Sequence, residues 1–372
     1  MKTIFLTNIP APYREKMHEI TYRNLNKSYH VIYCSNIDPD RKWSFPKGKY
    51  KKTILNSKPI KLGGTYTYLW SNILTVLKKE KPKVIILGGL SVPMILSFFW
   101  AKFSKCKIIA SSDATITSEN LQGLSIMHKA LRFFLYPRMD AYLGVSKKTI
   151  KLFQHYGANK KKCFISPFAI NNKKFKKDYK KINLRRYDII LCGQFIQAKL
   201  FDFSLDVIQE LYKRKKNLKI KLVGDGPLKN HIIKRLKKIG VSYRYSGFVQ
   251  PDKISKEYTS AKLFLFPTKT DAWGVVANES CAAGTPVITC DNAGAANELI
   301  INNINGYVLK MNINSWVKKI ESLLNSKTKL NKLSINALDS IKPYNSKNAA
   351  KSIIKALNFI KKNALFHLLQ LI

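Results

Sequence analysis

Short apolar runs alternate with amphipathic segments along most of the chain. Each run is rich in β-branched or aromatic residues, ends in Gly, Pro, Ser or Asp, and is followed by helical spacing. The runs are TIFLTNI, HVIYCS, KVIILGG, KIIASS, AYLGVS and CFISPF in the first half, then DIILCGQF, LKIKLVGDG, VSYRYSGFV, LFLFPT and PVITCD. Helices are predicted over Thr149–Tyr156, Phe203–Lys216 and Leu228–Ile239. This alternation predicts a doubly wound α/β fold with parallel sheets.

One polar, basic segment, residues 171–188, interrupts the alternation and has no sustained apolar period. It predicts an N-terminal Rossmann-like domain over 1–172, a basic linker over 173–188 and a C-terminal Rossmann-like domain over 189–345. If the two domains face each other, the carboxyl ends of their strands form an interdomain cleft in which ligands bind. Residues 346–372 predict an amphipathic helix that packs back toward the N-terminal domain. Its apolar face contains Ile353, Leu357, Ile360, Ala364 and Leu368, with Lys355, Lys361 and Lys362 elsewhere.

Two apolar segments could be mistaken for targeting or membrane signals. The N-terminus, MKTIFLTNIPAP, has an apolar core too short for a signal peptide and predicts a first buried strand. Val84–Ala101 is about as long as a bilayer requires, but Gly88, Gly89 and Pro93 interrupt it. We interpret it as a buried strand, VIILGG, followed by the helix SVPMILSFFWAKF, with Ser91 as its cap.

The charge is the most unusual feature of the composition. The chain of 372 residues has 66 Lys+Arg against 22 Asp+Glu, a formal net charge of +44. Hydrophobic residues at 45% and aromatics at 11% exclude wholesale disorder. A surface this basic favours anionic partners, namely nucleic acid, an anionic membrane or phosphorylated small molecules. Nucleic acid is disfavoured because no recognised binding motif accompanies the charge.

The six cysteines form no C-x-x-C pair and no metal-ligand spacing. We predict buried free thiols in a reducing compartment, which favours a cytoplasmic protein. Asp38-x-Asp40 lies in a polar loop and resembles a metal-binding motif only superficially, so no metal site is expected.

The stretch from Phe266 to Leu299 carries the clearest chemistry. A strand ends at Pro267, a short loop contains Asp271, and a helix beginning at Trp273-Gly274 carries Glu279. The first backbone N–H groups of that helix, at Gly274, Val275 and Val276, would point toward an anion. The two carboxylates then suit a ligand with hydroxyls beside phosphates. The alternative interpretation, equally weighted on spacing alone, is that Asp271 caps the helix and Glu279 is a solvated helix residue.

This stretch resembles the hallmark of retaining GT-B glycosyltransferases of family 4. Asp271-x7-Glu279 followed by CAAGTPVIT matches it, except that Asp replaces the more usual first Glu. Further matches lie in order along the chain: NIPAPYR, CGQFIQAKL, VGDGP, SGFV and GAANELI. The resemblance covers nearly the whole chain and is most specific across residues 190–300. It implies a GT-B fold of two facing Rossmann-like domains and catalysis without a bound metal.

The resemblance also implies roles for single residues. Lys199 would bind the donor diphosphate, Asp271 the donor-sugar hydroxyls and Glu279 the ribose hydroxyls, so these three are the candidate catalytic residues. Two departures weaken the match, since Gln194 stands where relatives often have Arg and Leu200 replaces the usual Gly. The implied donor-binding set is Gly193, Gln194, Lys199, Phe248, Asp271, Trp273, Gly274, Val275, Val276 and Glu279.

The acceptor side is less defined. Many relatives place a His after a first-domain strand, where this chain has Ser112-Asp113. Asp113 is either a polar contact for the acceptor or a cap of the next helix. Arg14 would meet the donor phosphate or the acceptor, or form a surface salt bridge. Trp273 either walls the sugar pocket or belongs to the core.

The resemblance implies transfer of a hexose-type sugar, with retention, from a nucleotide-diphosphate sugar to a polysaccharide, lipopolysaccharide or lipid-linked glycan acceptor. No cofactor beyond this donor substrate is expected. Two alternatives remain, a basic membrane- or RNA-binding module with a degenerate site and a GT-B nucleotide-sugar epimerase. Residues 121–139, with Lys129, Arg132 and Arg138, predict a helix on an anionic bilayer or an ordinary amphipathic core helix. The former would make the protein peripheral on the inner face of the cytoplasmic membrane.

Overall fold

The chain folds into two compact α/β units. The computed structural model describes residues 1–44, 48–55, 57–62, 65–69, 71–123 and 125–369. The first unit consists of Met1–Ala169 and Tyr344–Ile372, and the second of Ile170–Pro343.

The first unit is built on a seven-stranded parallel sheet with the order β3-β2-β1-β6-β7-β8-β9, beside an antiparallel pair, β4-β5. The strands are β1 (Thr3–Thr7), β2 (Tyr29–Tyr33), β3 (Lys51–Ile54), β4 (Lys58–Leu62), β5 (Thr65–Leu69), β6 (Val84–Gly88), β7 (Lys107–Ser112), β8 (Ala141–Gly144) and β9 (Cys163–Ile165). The helices are α1 (Pro12–Asn24), α2 (Ile73–Glu80), α3 (Val92–Phe103), α4 (Ile116–Gln122), α5 (Ile126–Leu135), α6 (Lys147–His155) and, from the C-terminus, α14 (Ser346–Leu369). Separate apolar clusters cover the two faces of this sheet.

The second unit is built on a six-stranded parallel sheet with the order β12-β11-β10-β13-β14-β15. The strands are β10 (Tyr187–Cys192), β11 (Lys219–Val223), β12 (Ser242–Tyr245), β13 (Ala261–Phe266), β14 (Val287–Thr289) and β15 (Gly306–Val308). The helices are α7 (Asn172–Lys177), α8 (Phe201–Arg214), α9 (Lys229–Ile239), α10 (Ser255–Tyr258), α11 (Val275–Ala282), α12 (Ile313–Leu324) and α13 (Lys327–Ser340).

Every strand predicted from an apolar run is present, and the predicted α/β class with parallel sheets is confirmed. The sequence did not predict β3, β4, β5 and β15. Strand β3 has the sequence KKTI and lies at a sheet edge, where one side needs no apolar residues, and β15 is only three residues long. The three predicted helices correspond to α6, α8 and α9, with starts that differ by one or two residues.

The segment Val84–Ala101 divides as expected into β6 and α3, with Gly89 and Leu90 between them. Ser91 occupies the N-cap position of α3, but its side chain makes no capping hydrogen bond. Across the described residues, none of the helices combines the length and the hydropathy needed to cross a bilayer.

Residues 173–188 are not a free linker. The chain enters the second unit at Ile170, and this segment contains most of α7 and the first two residues of β10. Arg185 is buried in it and donates hydrogen bonds to Ala261 O at 2.9 Å, Ala283 O at 2.9 Å and Thr285 Oγ1 at 2.6 Å. A positive charge suits this place because Ala283 lies at the carboxyl end of α11. The basic composition therefore concealed a structural arginine.

Replacing Arg185 with alanine is expected to lower the free energy of unfolding by about 3 kcal/mol, because it leaves buried carbonyl groups without donors. The neighbouring Arg186 is exposed and provides the matched control, with an expected change within about 0.5 kcal/mol. Urea unfolding of both variants measures the difference. Equal stability of the two would contradict the structural role.

The C-terminal helix α14 belongs to the first unit, as expected. Ala349, Ala350, Ile353, Leu357 and Ile360 are buried in the cluster that also contains Met17 of α1. The predicted lysines Lys355, Lys361 and Lys362 are exposed. The side chains of Ala364 and Leu368 lie outside the described ones.

Candidate functional site

The strand order of the second unit contains a topological switch point. The chain proceeds from β10 outward to β11 and β12, and then returns to place β13 on the other side of β10. In such sheets a crevice opens at the carboxyl ends of the two central strands. The loops that follow β10 and β13 are therefore where a ligand is expected. They carry Lys199 and Asp271.

The loops after β10, β11 and β12 are joined by backbone hydrogen bonds. Gly224 N donates to Gly247 O at 2.8 Å, and Phe195 N donates to Asp225 O at 2.8 Å. The backbones are packed so closely that a Cβ on Gly224 would lie 1.9 Å from Gly193 O. Glycine is therefore required at position 224, and the VGDGP motif builds the edge of the crevice.

Lys199 and Asp271 form an ion pair across the switch point. Lys199 ends a 3-10 turn, Gln197–Lys199, whose Ala198 O accepts hydrogen bonds from Lys269 N at 2.8 Å and Thr268 Oγ1 at 2.9 Å. The loop after β13 is thus fixed to the turn that carries the lysine. Both side chains of the pair remain partly exposed, which leaves the ammonium and the carboxylate accessible to a ligand.

Leu200 stands where the resembling enzymes usually have glycine. It adopts a left-handed conformation, with φ 44° and ψ 46°, and precedes α8. This region favours glycine, and a leucine there costs about 1 kcal/mol or more. The backbone at Lys199 is therefore kept in the conformation for which glycine is the usual residue.

Helix α11 begins beside the ion pair. Gly274 precedes it with φ 91°, which favours glycine. A Cβ at this position would also lie 2.7 Å from the ring of Phe266, so the position requires glycine for both reasons. Asp271 Oδ1 accepts the Trp273 N–H at 3.2 Å, which ties the carboxylate to the start of the helix. The N–H groups of the first helical turn, including those of Val275 and Val276, have no partner within the helix and suit an anion.

Glu279 lies further along α11 and is partly exposed. Burial raises its pKa to about 7, although the Tyr258 hydroxyl, which donates to Glu279 Oε2 at 3.1 Å, partly opposes this rise. The pKa of Tyr258 is itself raised, mainly by burial. Cys192, at the end of β10, lies beside both groups, and burial raises the pKa of its thiol. Glu279 therefore differs from a fully solvated helix residue, while Asp271 does contact the start of the helix as the alternative interpretation expects.

Trp273 is a core residue and does not wall a pocket. Only 1% of it is exposed, and its indole N–H donates to Asn278 Oδ1 at 2.7 Å. Trp273 therefore does not belong to the donor-binding set and supports the site from the core. Gln194 is partly exposed after β10, and Phe248 is exposed after β12.

The first unit has its own switch point, between β1 and β6. Arg14 lies in the first turn of α1, which follows β1, and its guanidinium lies over the Phe168 ring at 4.7 Å. Asp113 follows β7 and does not cap the next helix, because Thr115 and Ser118 form a capping box there. Asp113 thus remains a candidate polar contact.

Two site residues escaped the sequence analysis. Tyr258 and Phe266 contact Glu279 and Lys199, respectively, with Lys199 Nζ 5.8 Å from the centre of the Phe266 ring. Phe266 could have been found, because the last residue of a strand at a switch point faces the crevice loops. No spacing signal connects Tyr258 with Glu279.

The described residues include no group of three or more His, Cys, Asp or Glu side chains arranged to hold a metal ion. Asp38 instead accepts a hydrogen bond from the Tyr68 hydroxyl at 2.6 Å. All six cysteines are free, and four of them are buried.

Comparison with known families finds a match in the second unit. Residues 172–339 match the family described as glycosyl transferases group 1. These residues span nearly all of the second unit, including the turn of Lys199 and helix α11. The match covers less than half of the chain, so the likeness to this family is a likeness of the second unit.

The curated proteins to which this chain is similar include glycosyltransferases by name. An uncharacterised glycosyltransferase of Methanocaldococcus jannaschii is 28% identical over 120 residues, 32% of this chain and 30% of that one. The N-acetylgalactosamine-N,N'-diacetylbacillosaminyl-diphospho-undecaprenol 4-alpha-N-acetylgalactosaminyltransferase of Campylobacter jejuni is 26% identical over 250 residues, 66% of this chain and 64% of that one. The chain thus spans less than two thirds of the length of each.

Solved structures extend the likeness to the whole fold. The structure of HepE from Anabaena in complex with UDP and glucose superposes with a TM-score of 0.74 at 13% identity, covering 96% of this chain and 99% of that one. The likeness includes both units, each of which is a parallel-sheet α/β domain as in the GT-B fold.

Proposed function

We propose that this protein is a retaining glycosyltransferase of family 4. It transfers a hexose-type sugar from a nucleotide-diphosphate donor to a glycan or lipid-linked acceptor. The observation that supports this most is the Lys199–Asp271 ion pair at the switch point, beside the amino end of α11. A cation, a carboxylate and the first-turn amides of a helix at one crevice match the diphosphate and hydroxyls of such a donor.

Each group has a distinct task in the reaction. Lys199 and the first amides of α11 hold the diphosphate and stabilise the charge that grows on the leaving phosphate as the glycosidic bond breaks. Asp271 accepts hydrogen bonds from donor-sugar hydroxyls, and Glu279 accepts those of the ribose. The departing phosphate takes the proton of the acceptor hydroxyl, so the reaction requires neither a strong side-chain base nor a metal.

Arg14 and Asp113 are assigned to the acceptor side in the first unit. The Campylobacter jejuni relative is named for an acceptor on diphospho-undecaprenol, which supports a lipid-linked or glycan acceptor here. The cytoplasmic location also remains a prediction.

Calorimetric titration with UDP, GDP and ADP tests donor binding first, and the UDP bound to HepE makes UDP the first choice. The matching α-linked nucleotide sugar and a glycan or polyprenyl acceptor then test transfer. Nuclear magnetic resonance of the product should show an α-linkage, as retention requires. A β-linked product would contradict retention while leaving transfer intact.

The same experiments separate the alternatives. Binding of none of the three nucleotides would favour a binding module with a degenerate site. Conversion of the donor to an epimer without acceptor would identify a nucleotide-sugar epimerase.

A further inference from the structure

Helix α5 of the first unit exposes its apolar face to solvent. Its outer positions are Ile126, Met127, Ala130, Phe133 and Phe134, with the spacing i, i+1, i+4, i+7 and i+8 of one helix face. Ile126 is 87% exposed and Met127 74%. In an ordinary surface helix such a face packs against the core.

The inner face of the same helix is anchored. Leu135 is buried, and Arg132 forms an ion pair with Glu119, which is itself buried and accepts the Tyr156 hydroxyl at 2.6 Å. Of the three cations that the sequence analysis considered for a bilayer-lying helix, Arg132 is thus held by a contact within the unit. Turning the exposed apolar side chains inward would break this ion pair, so the pair favours their exposure.

Helix α3 continues the apolar surface. Leu96, Phe99 and Phe103 share one exposed face of α3, and Phe103 is 85% exposed. The rings of Phe99 and Phe134 lie 6.5 Å apart, which joins the two helices. More than half of the exposed large apolar side chains that the structure describes lie between Val92 and Phe134. We call the side chains of Leu96, Phe99, Phe103, Ile126, Met127 and Phe134 the α3–α5 surface.

Cations surround this surface. Lys102, Lys105 and Arg138 are exposed at its margin, and the Arg138 guanidinium lies over the Phe134 ring at 4.2 Å. Between Val92 and Met139 the acidic residues are Asp113 and the buried Glu119. An apolar surface with a cationic margin is complementary to acyl chains beneath anionic headgroups. A second copy would instead oppose like charges, on a chain of net charge +44.

We propose that the α3–α5 surface docks on an anionic lipid bilayer, with Phe103, Ile126 and Met127 inserted among the acyl chains. Lys102, Lys105, Lys129 and Arg138 would lie at the headgroups, their aliphatic stems extended along the apolar surface. Docking needs neither donor nor turnover, so it stands or falls independently of the proposed reaction.

Vesicle flotation of the full chain tests the insertion. Vesicles of phosphatidylcholine alone are compared with vesicles that also contain phosphatidylglycerol. The variant Phe103→Ser/Ile126→Ser/Met127→Ser keeps the charge, and its partition coefficient for anionic vesicles is expected to fall about 100-fold. The matched control, Leu184→Ser/Ile304→Ser/Ile335→Ser, removes three exposed apolar side chains from the second unit and should bind like wild type.

Charge variants separate docking from the general attraction of a basic protein. Lys105→Glu/Lys129→Glu should bind much more weakly than Lys237→Glu/Lys238→Glu, which changes the net charge equally on α9. Raised salt should weaken wild-type binding without abolishing it, because the apolar side chains contribute binding that salt does not screen.

Three results would overturn the proposal. The first is unchanged binding of the triple serine variant, and the second is equal binding of the two charge variants. The third is a dimer, seen by light scattering without lipid, that the triple serine variant dissociates, since a second copy would then be the occupant. Thermal unfolding confirms that each variant is folded.

Discussion

Lys199→Ala is expected to lower kcat by about 100- to 1,000-fold while changing donor affinity much less. The reason is that the charge on the leaving phosphate grows as the glycosidic bond breaks, so a cation fixed beside it contributes most in the transition state. In the free protein this ammonium is paired with Asp271 and accessible from the crevice. Steady-state kinetics with the donor found by titration measure the effect.

The control is Lys269→Ala, in the loop that hydrogen bonds to the turn of Lys199. Lys269 is exposed, so its removal subtracts the same charge from the same region. Its kcat should stay within about threefold of wild type. A Lys199→Ala enzyme that turns over like this control would contradict the assignment. Because the substitution also deprives Asp271 of its partner, the double variant Lys199→Ala/Asp271→Asn shows whether the loss comes from the missing cation or from the freed carboxylate.

The sequence predicted the parallel strands well because both faces of such strands are buried, which produces continuous apolar runs such as DIILC in β10. It failed at β3, where the edge position permits KKTI. It also misassigned residues 173–188. The prediction treated lysine and arginine alike as residues typical of a linker. Arg185, however, donates hydrogen bonds to three buried oxygens that lie far away in the chain.

Local spacing predicted part of the site, and tertiary packing determines the rest. Asp271, Gly274 and Glu279 lie within nine residues, so their spacing predicted a loop and a helix start that the structure contains. Lys199 entered through a resemblance, and only the β10–β13 pairing explains why it meets Asp271. Tyr258 reaches Glu279 from α10, and Trp273 turns into the core. Both depend on tertiary packing, which local spacing does not encode.

Glu279→Gln is expected to stabilise the protein at pH 8 and to weaken donor binding. Burial raises the pKa of Glu279 to about 7, above its ordinary value of 4.5. Between these values the folded state keeps a proton that the unfolded chain has lost, so stability falls as pH rises and levels off above about pH 7. The destabilisation is at most about 3 kcal/mol at pH 8. Glutamine removes this destabilisation. The resulting gain in the free energy of unfolding, measured with urea, should be much smaller at pH 5 than at pH 8.

Binding changes in the opposite direction, because glutamine cannot accept ribose hydroxyls as a charged carboxylate does. A loss of about 100-fold in affinity for the donor nucleotide is expected, with a smaller effect on kcat, which separates Glu279 from Lys199. Glu210→Gln, at a partly exposed position of α8 where the carboxylate pairs with Lys213, removes the same charge and should alter neither property. A substitution that raises the stability of the protein but lowers its affinity for a ligand indicates that the original side chain is kept in an unfavourable environment in order to bind that ligand. Wild-type affinity in Glu279→Gln would contradict its donor role, and lower stability at pH 8 would contradict the burial of its charge.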